Sequence, residues 1–332
     1  MVQRYGPFVR LWGIQNAQLP GVTATAEELT PLLTSILLEA VPFIDDVPSA
    51  KQSPYTSSWQ TKGSRNFSHS EAPVHVYERT VSAKELREVA RENHLPGLST
   101  APKLEPETWF LRRSVHADSA TTGTASWQEW YKCFKESHAE VEREFTPTVL
   151  STRLEREWDC RGVEVDVDGE TWGDWTLRLE ESVHKMPTPL RNRVFPVLQA
   201  TASVLGKRKF IVVQIAARDV TGMGMGMGAG EGRQGANVCA AYTSIERLKD
   251  SGEGIEWVMA TTSDAKGVLP QWVQRMALPG MIAKDVDMFL AWIAKKRRQG
   301  LGKDGEQNGG NDGEAMRDGA QPRAPASQVA YR

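Results

Sequence analysis

The stretch from Val268 to Arg298 constrains the fold of this chain most. Leu269, Trp272, Val273, Met276, Ile282, Val286, Phe289, Leu290 and Ile293 recur at three- and four-residue spacing and form a broad apolar stripe. Gln271, Gln274, Arg275, Lys284, Asp285 and Lys295 take the other side. The pattern predicts an amphipathic helix, about 45 Å long at ~1.5 Å per residue. Pro279 removes one backbone donor and Gly280 loosens the turn, so a kink is expected there. Lys295, Lys296, Arg297 and Arg298 stand at the end of the stripe, where the helix macrodipole favours cations. That explanation suffices without a nuclear-localisation role.

The rest of the chain offers mainly strands for this helix to pack on. Extended runs are expected at Val74 to Thr80, Glu107 to Ala117, Val149 to Cys160, Gly173 to Lys185, Lys209 to Val220, Ala236 to Leu248 and Ile255 to Thr262. About seven strands with mostly short connections make an antiparallel sheet the natural reading. Alternation is clearest where Trp175, Leu177, Leu179 and Val183 interleave with Thr176, Arg178, Glu180 and His184, so one face is buried and one wet. Helices interrupt this texture in three places. Leu29, Leu32, Leu33, Ile36, Leu37 and Leu38 follow Glu27 and Glu28 in an N-terminal helix from Thr25 to about Ile44. Ser82, with Glu85 at the capping-box position, opens a short one, and Ser126, with Glu129, opens another that runs to about Glu144. Val47 to Ser64, broken by Pro48 and Pro54, reads as a loop or an extended crossing segment.

The chain of 332 residues, 40% hydrophobic, has enough apolar mass for a real core. Its 40 basic and 42 acidic residues leave a formal charge of -2, so no overall field gathers nucleic acid or anionic membrane. The three cysteines, Cys133, Cys160 and Cys239, are widely separated, without CxxC, and read as reduced thiols. The first twenty residues lack the apolar run and cleavage site of a secretory signal, and no stretch reaches the ~18 apolar residues of a membrane span. A cytoplasmic protein with at most transient membrane contact is expected. Residues 1–24 read as an N-terminal extension, 25–298 as the folded domain and 299–332, glycine-rich and polar, as a disordered tail. The Met-Gly repeat from Gly222 to Gly230 reads as a mobile hairpin loop.

Signatures of common chemistry are missing or out of context. Gly230 to Gly235 spells GxGxxG, but a strand follows where a dinucleotide fold needs a helix. No P-loop, HExxH or GxSxG occurs. The six histidines show no paired ligand spacing, so neither a metal nor another cofactor is expected. His138, Glu140, Glu142 and Glu144 offer a candidate general base, though an acidic run on a helix is usually a solvated face. No residue is assigned a catalytic role. Eleven tryptophans matter more, since large aromatics either line a ligand cavity or fill a core. Arginines in or near strands, such as Arg113, Arg156, Arg178 and Arg193, would need an acidic partner or a ligand headgroup on a concave face. The candidate cavity residues are Trp109, Arg113, Trp158, Trp175, Leu177, Val213, Trp257, Trp272 and Met276. Strand parity shows which of these share a face, not which face is inside.

Ala260 to Val273 contains Asp264, Gly267, Pro270 and Trp272 at the junction of the last strand and the last helix. Gly267 permits a sharp exit from the strand, and Pro270 is tolerated in a first helical turn. This segment resembles the one that leads into the C-terminal helix of START-like lipid-binding domains. With Pro279-Gly280, Lys284-Asp285-Val286, Phe289, the run Pro189 to Pro196 and Phe145-Thr146-Pro147, it resembles fungal domain-of-unknown-function family 3074 of that superfamily, over about Glu27 to Ile293. The resemblance implies an α+β helix-grip fold, a curved antiparallel sheet of about seven strands around a long C-terminal helix. It further implies a hydrophobic small molecule (a lipid, sterol or polyketide-like compound) in a tunnel between them. Three functions follow as expectations: a non-enzymatic carrier or sensor, a cyclase-type enzyme acting on a polyketide-like substrate, and a protein-interaction module without ligand.

Overall fold

The computed structural model describes residues 6–48, 57–101, 104–220, 237–266 and 271–307, without the side chains of Pro96, 271–275 and 301–307. Elements run in the order β1 (Ile14–Gln15), α1 (Ala26–Asp45), β2 (Gln60–Arg65), β3 (Val74–Val81), α2 (Ala83–Glu92), α3 (Pro96–Ser99) and β4 (Glu107–His116). There follow α4 (Trp127–Trp130), a π-helical run Tyr131–Glu136, α5 (His138–Phe145), β5 (Val149–Trp158), β6 (Val165–Val167), β7 (Glu170–His184) and β8 (Arg193–Val204). The chain continues through β9 (Lys209–Arg218), β10 (Val238–Cys239), β11 (Ala241–Asp250) and β12 (Ile255–Asp264) to α6 (Gln271–Gln307). It divides into two units, Met1–Ala294, which holds the sheet, and Lys295–Arg332, whose described part is the last turns of α6.

The sheet is curved and larger than expected. Its main path is β2-β3-β4-β12-β11-β9-β8-β7-β5, antiparallel throughout, within a sheet of 12 strands. With α6 laid along it, this is the helix-grip arrangement. Two main-path strands escape the periodicity argument. β8 is buried on nearly every residue, so period-two contrast is lost, and its inner row includes Gln199, Thr201 and Ser203 in place of large aliphatics. β2 is exposed along its whole length and carries no apolar alternation.

Both faces of the sheet are covered. On the convex face α1 buries Leu29, Leu33, Ile36, Leu37, Phe43 and Ile44 against the outward rows of the sheet, which include Leu111, Leu177, Val213, Ile245 and Val258. Thr25 and Glu28 cap α1 reciprocally, the Glu28 carboxylate accepting the Thr25 amide at 2.9 Å. On the concave face Ala283, Val286, Phe289, Leu290 and Ile293 of α6 join Val76, Phe210, Val212, Leu248 and Trp257 in a second core. Each buried Val, Leu, Ile or Phe among them contributes about 1.5–3 kcal/mol relative to exposure.

The apolar stripe read from the sequence is therefore the buried face of α6 from Ile282 to Ile293, and α6 runs on past Arg298 to Gln307. Pro279 lies inside the helix. Gly267, Val268 and Pro270, the Met-Gly repeat and residues 308–332 lie outside the described residues.

Candidate functional site

Cross-strand pairing fixes which side chains meet on the concave face. Arg112 of β4 stands opposite Met259 of β12, which stands opposite Glu246 of β11; Ser244 stands opposite Gln214 of β9 and Thr261 of β12. This row forms the floor of a cavity of about 500 Å³. Phe134, Phe145 and the Thr146–Thr148 turn form one wall, and Leu278, Met281, Ile282, Asp285 and Met288 of α6 form another. That size falls within the range of small-molecule pockets. The walls are mostly apolar, with a few polar groups gathered where β4, β11, α5 and α6 meet.

The helix preceding α5 shapes this wall. The sequence predicts one continuous helix from Ser126 to Glu144, and the structure keeps its capped start but passes through the π-helical run and a break at Ser137. Wider turns of this kind often accompany functional sites. Trp130, Phe134 and His138, four residues apart along this stretch, all face the sheet. Trp130 stacks on Phe289 at 4.7 Å, and Phe134 lies 5.0 Å from Trp257 and 4.8 Å from Phe289. His138 is then delivered to Glu246, with Nε2 3.1 Å from Oε2.

Glu246 is the hub of the polar cluster. It accepts from Arg112 Nη2 at 3.0 Å, from Trp257 Nε1 at 2.6 Å and from His138. Burial pushes its carboxyl up, but these bonds and the Arg112 charge hold it below the ordinary carboxylate range. Burial alone would keep His138 neutral; the bond to Glu246 and the charge of Glu142 raise its pKa instead. Arg112 Cζ lies over the Trp257 ring, 3.7 Å from its centroid. Asp285 of α6 faces the same cavity, and burial pushes its carboxyl up to about 7 against the pull of Arg112, with Glu142 and Glu246 adding to the rise. The neighbouring amides and hydroxyls serve one another: Ser244 donates to Gln214 at 2.9 Å, and Gln214 to Gln199 at 3.2 Å.

The residues singled out from the sequence fall mostly elsewhere. Trp109, Trp158, Trp175, Leu177 and Val213 belong to the convex core, where Trp109 packs on Phe43 at 4.7 Å and Trp158 donates to the Gly21 carbonyl at 2.9 Å. Arg113 is also on that side, paired with Glu256 at 2.8 Å. Trp257 is on the concave face but is covered by Trp130, Phe134 and Phe289 and supports the floor rather than lining it. Met276 is 75% exposed, and the Trp272 side chain lies outside those described. The physical reason is parity combined with double coverage. The more apolar rows meet α1, with the Arg113, Arg247 and Glu256 ion pairs among them, whereas rows that look solvent-facing, such as Arg112, Ser114 and His116, turn inward. Arg112, Glu246 and Tyr242 were missed for that reason, and Asp285, read as part of the polar side of the last helix, faces the cavity instead. Their signal was the pairing of ionisable residues with large apolar ones on a single strand face.

A wider depression of about 680 Å³ lies near Trp158 and Trp175, but its rim is exposed Glu157, Asp159, Arg161 and Glu164, and it holds no comparable buried cluster. Among the described residues no group of His, Cys, Asp and Glu is arranged to hold a metal ion. No described helix is long and apolar enough to cross a membrane.

Solved structures similar to this chain include human StAR-related lipid transfer protein 5, at 12% identity over 82% of this chain and 97% of that one, with a TM-score of 0.45. Human STARD10 matches at 12% identity over 79% and 85%, with a TM-score of 0.44. A STAR-related lipid transfer protein from Xanthomonas axonopodis matches at 12% over 73% and 99%, with a TM-score of 0.41. No curated protein matches the chain. The family model described as protein of unknown function (DUF3074) matches residues 109–293, more than half of the chain and every residue lining the cavity. The chain is a member of the DUF3074 family.

Proposed function

We propose that this protein binds a hydrophobic small molecule, of lipid, sterol or polyketide-like type, in the cavity between the sheet and α6. The observation that carries the reading is the cavity itself: about 500 Å³, walled by Phe134, Phe145, Met259, Ile282 and Met288, with a few convergent polar groups. A packed core would have filled such a volume, since protein interiors leave few voids larger than a water molecule. Carriage in the cytoplasm, with at most transient membrane contact, accords with this reading. Organic extraction of the purified protein followed by mass spectrometry tests it. An apolar compound near one equivalent is expected; a chain that carries nothing and takes up no fluorescent sterol or fatty acid would refute it.

One observation favours a second reading, an enzyme of the cyclase type. His138, Glu246, Glu142 and Asp285 place titratable groups of different character around one cavity, as general acid–base chemistry requires. Turnover of the extracted compound by the protein would select this reading, and its recovery unchanged would select the carrier.

A further inference from the structure

Leu278, Met281, Asp285 and Met288 of α6 all line the cavity. Their three- and four-residue spacing makes them one stripe of the helix, beside the buried row of Ile282, Val286 and Phe289. Met281 stands apart within that stripe. It lines the cavity and is also 57% exposed, which places it at the rim, where the hollow meets solvent. Met288 on the stripe and Met259 on the floor are half-buried. Of the described methionines three therefore line this cavity, while Met186 and Met276 do not. Met276 is more exposed still, at 75%, but lies roughly 140° round the helix axis from Met281 at ~3.6 residues per turn. Among the described residues no cysteine lines the cavity, so its thioethers are the lining atoms that a peroxide oxidises most readily.

A methionine at the rim has two consequences. Its unbranched side chain adapts to an apolar occupant of irregular shape. Its sulfur can also be oxidised. The sulfur lone pair takes one oxygen of hydrogen peroxide as the O–O bond breaks, and the departing hydroxide collects that oxygen's proton and leaves as water. The thioether is oxidised to a sulfoxide and the peroxide is reduced, with no further reactant. At an exposed position the fold does not have to bury the new S=O group, so the empty protein keeps it hydrated. An apolar occupant lying against the rim strips that water and supplies no donor in return. We propose that Met281 is a peroxide-sensitive modification site, whose conversion to the sulfoxide weakens retention of the apolar occupant. This rests on the reading of the cavity as a ligand site and adds a means of controlling it.

The test is titration of Nile Red into the full chain before and after treatment with hydrogen peroxide, with peptide mass mapping of the sulfoxides formed. Wild type, Met281→Leu and Met276→Leu are each compared with themselves before treatment, so any effect of a substitution on binding itself cancels. Wild type and Met276→Leu are expected to lose affinity roughly fivefold or more, as stripping water from an unpaired polar group would cause. Met281→Leu should keep most of its own affinity. Methionine sulfoxide reductases acting on both epimers should restore the wild type, which oxidised cysteine would not allow. Unchanged affinity in wild type with Met281 fully converted would overturn the proposal. So would an equal loss in Met281→Leu, or a loss that the reductases do not reverse. In each of those cases binding of the dye before treatment leaves the cavity reading standing. If the untreated chain does not bind the dye, both fall. Should Met281→Leu fold poorly, a peroxide series on wild type decides: the loss is expected to track the Met281 sulfoxide, and tracking the Met276 sulfoxide instead would overturn the assignment.

Discussion

Two buried carboxylates on β11 and β12 show how much turns on the direction of a single side chain. Glu246 points into the concave face and bonds to Arg112 and His138. Glu256 points to the convex face and binds Arg113 and Arg247, each at 2.8 Å, and Lys249 at 3.3 Å; Arg247 also pairs with Asp45 of α1. Burial opposes ionisation of Glu256, but Arg247, Lys249 and Arg113 overcome it and hold its carboxyl at about 2. A carboxylate depressed in the folded state stabilises it fully above its unfolded pKa and ceases to do so as pH falls through the folded value. Glu256→Gln should therefore cost about 3–5 kcal/mol near neutrality, because it strands buried cations. The difference from wild type should shrink as pH falls from about 4.5 towards 2. Urea denaturation across that range checks it, and a loss that does not depend on pH would argue against this origin. At this scale the sequence was half legible. Arg113 was expected in the cavity, but it pairs with Glu256 on the convex side, and the arginine that lines the cavity is Arg112, one residue and one face away.

At the scale of elements, α6 is held by aromatic contacts that its periodicity implied but could not locate. Phe289 lies within 6 Å of Trp130, Phe134, Phe145, Trp257 and Trp292, ring centre to ring centre. It ties together α6, α5, the π-helical run and the sheet. Phe289→Ala removes the centre of this cluster and should cost about 3–5 kcal/mol, with Phe289→Leu milder because more volume is kept. Denaturant midpoints of the two variants against wild type measure this. A loss below about 1 kcal/mol for the alanine variant would mean that α6 is held by something else. The caps and stripes of α1, α2, α4 and α6 were legible because a helix with one wet face announces itself by contrast. β8 was not, since a strand covered on both sides, with Gln199, Thr201 and Ser203 inward, offers no contrast to read. The π-helical run was illegible too, because Trp130 to His138 satisfies α-helical spacing equally well.

For the whole molecule, the sheet is a partition between a convex core and a concave site. The first residues are part of the partition: β1 pairs with β9, and Val9, Trp12 and Ile14 are buried. Glu39 accepts the Val9 amide at 2.7 Å, and Glu107 accepts the Leu11 amide at 2.7 Å. Within the stretch read from the sequence as an N-terminal extension, the amides of Phe8, Val9 and Leu11 are held by these buried carboxylates. The convex side, with α1 and the outward rows, carries most of the tryptophans and none of the cavity. Composition points to apolar mass and cannot say where it is left hollow. The central claim is that the hollow beneath α6 is where an apolar ligand sits. Photolysis of the protein with a diazirine-bearing alkyl probe, followed by peptide mapping, tests it most directly. Label is expected on Met259, Phe145, Met281 and Met288, which wall the cavity. Label confined to the exposed leucines Leu150 and Leu154 of β5, or to the depression beside Trp158, would contradict the claim.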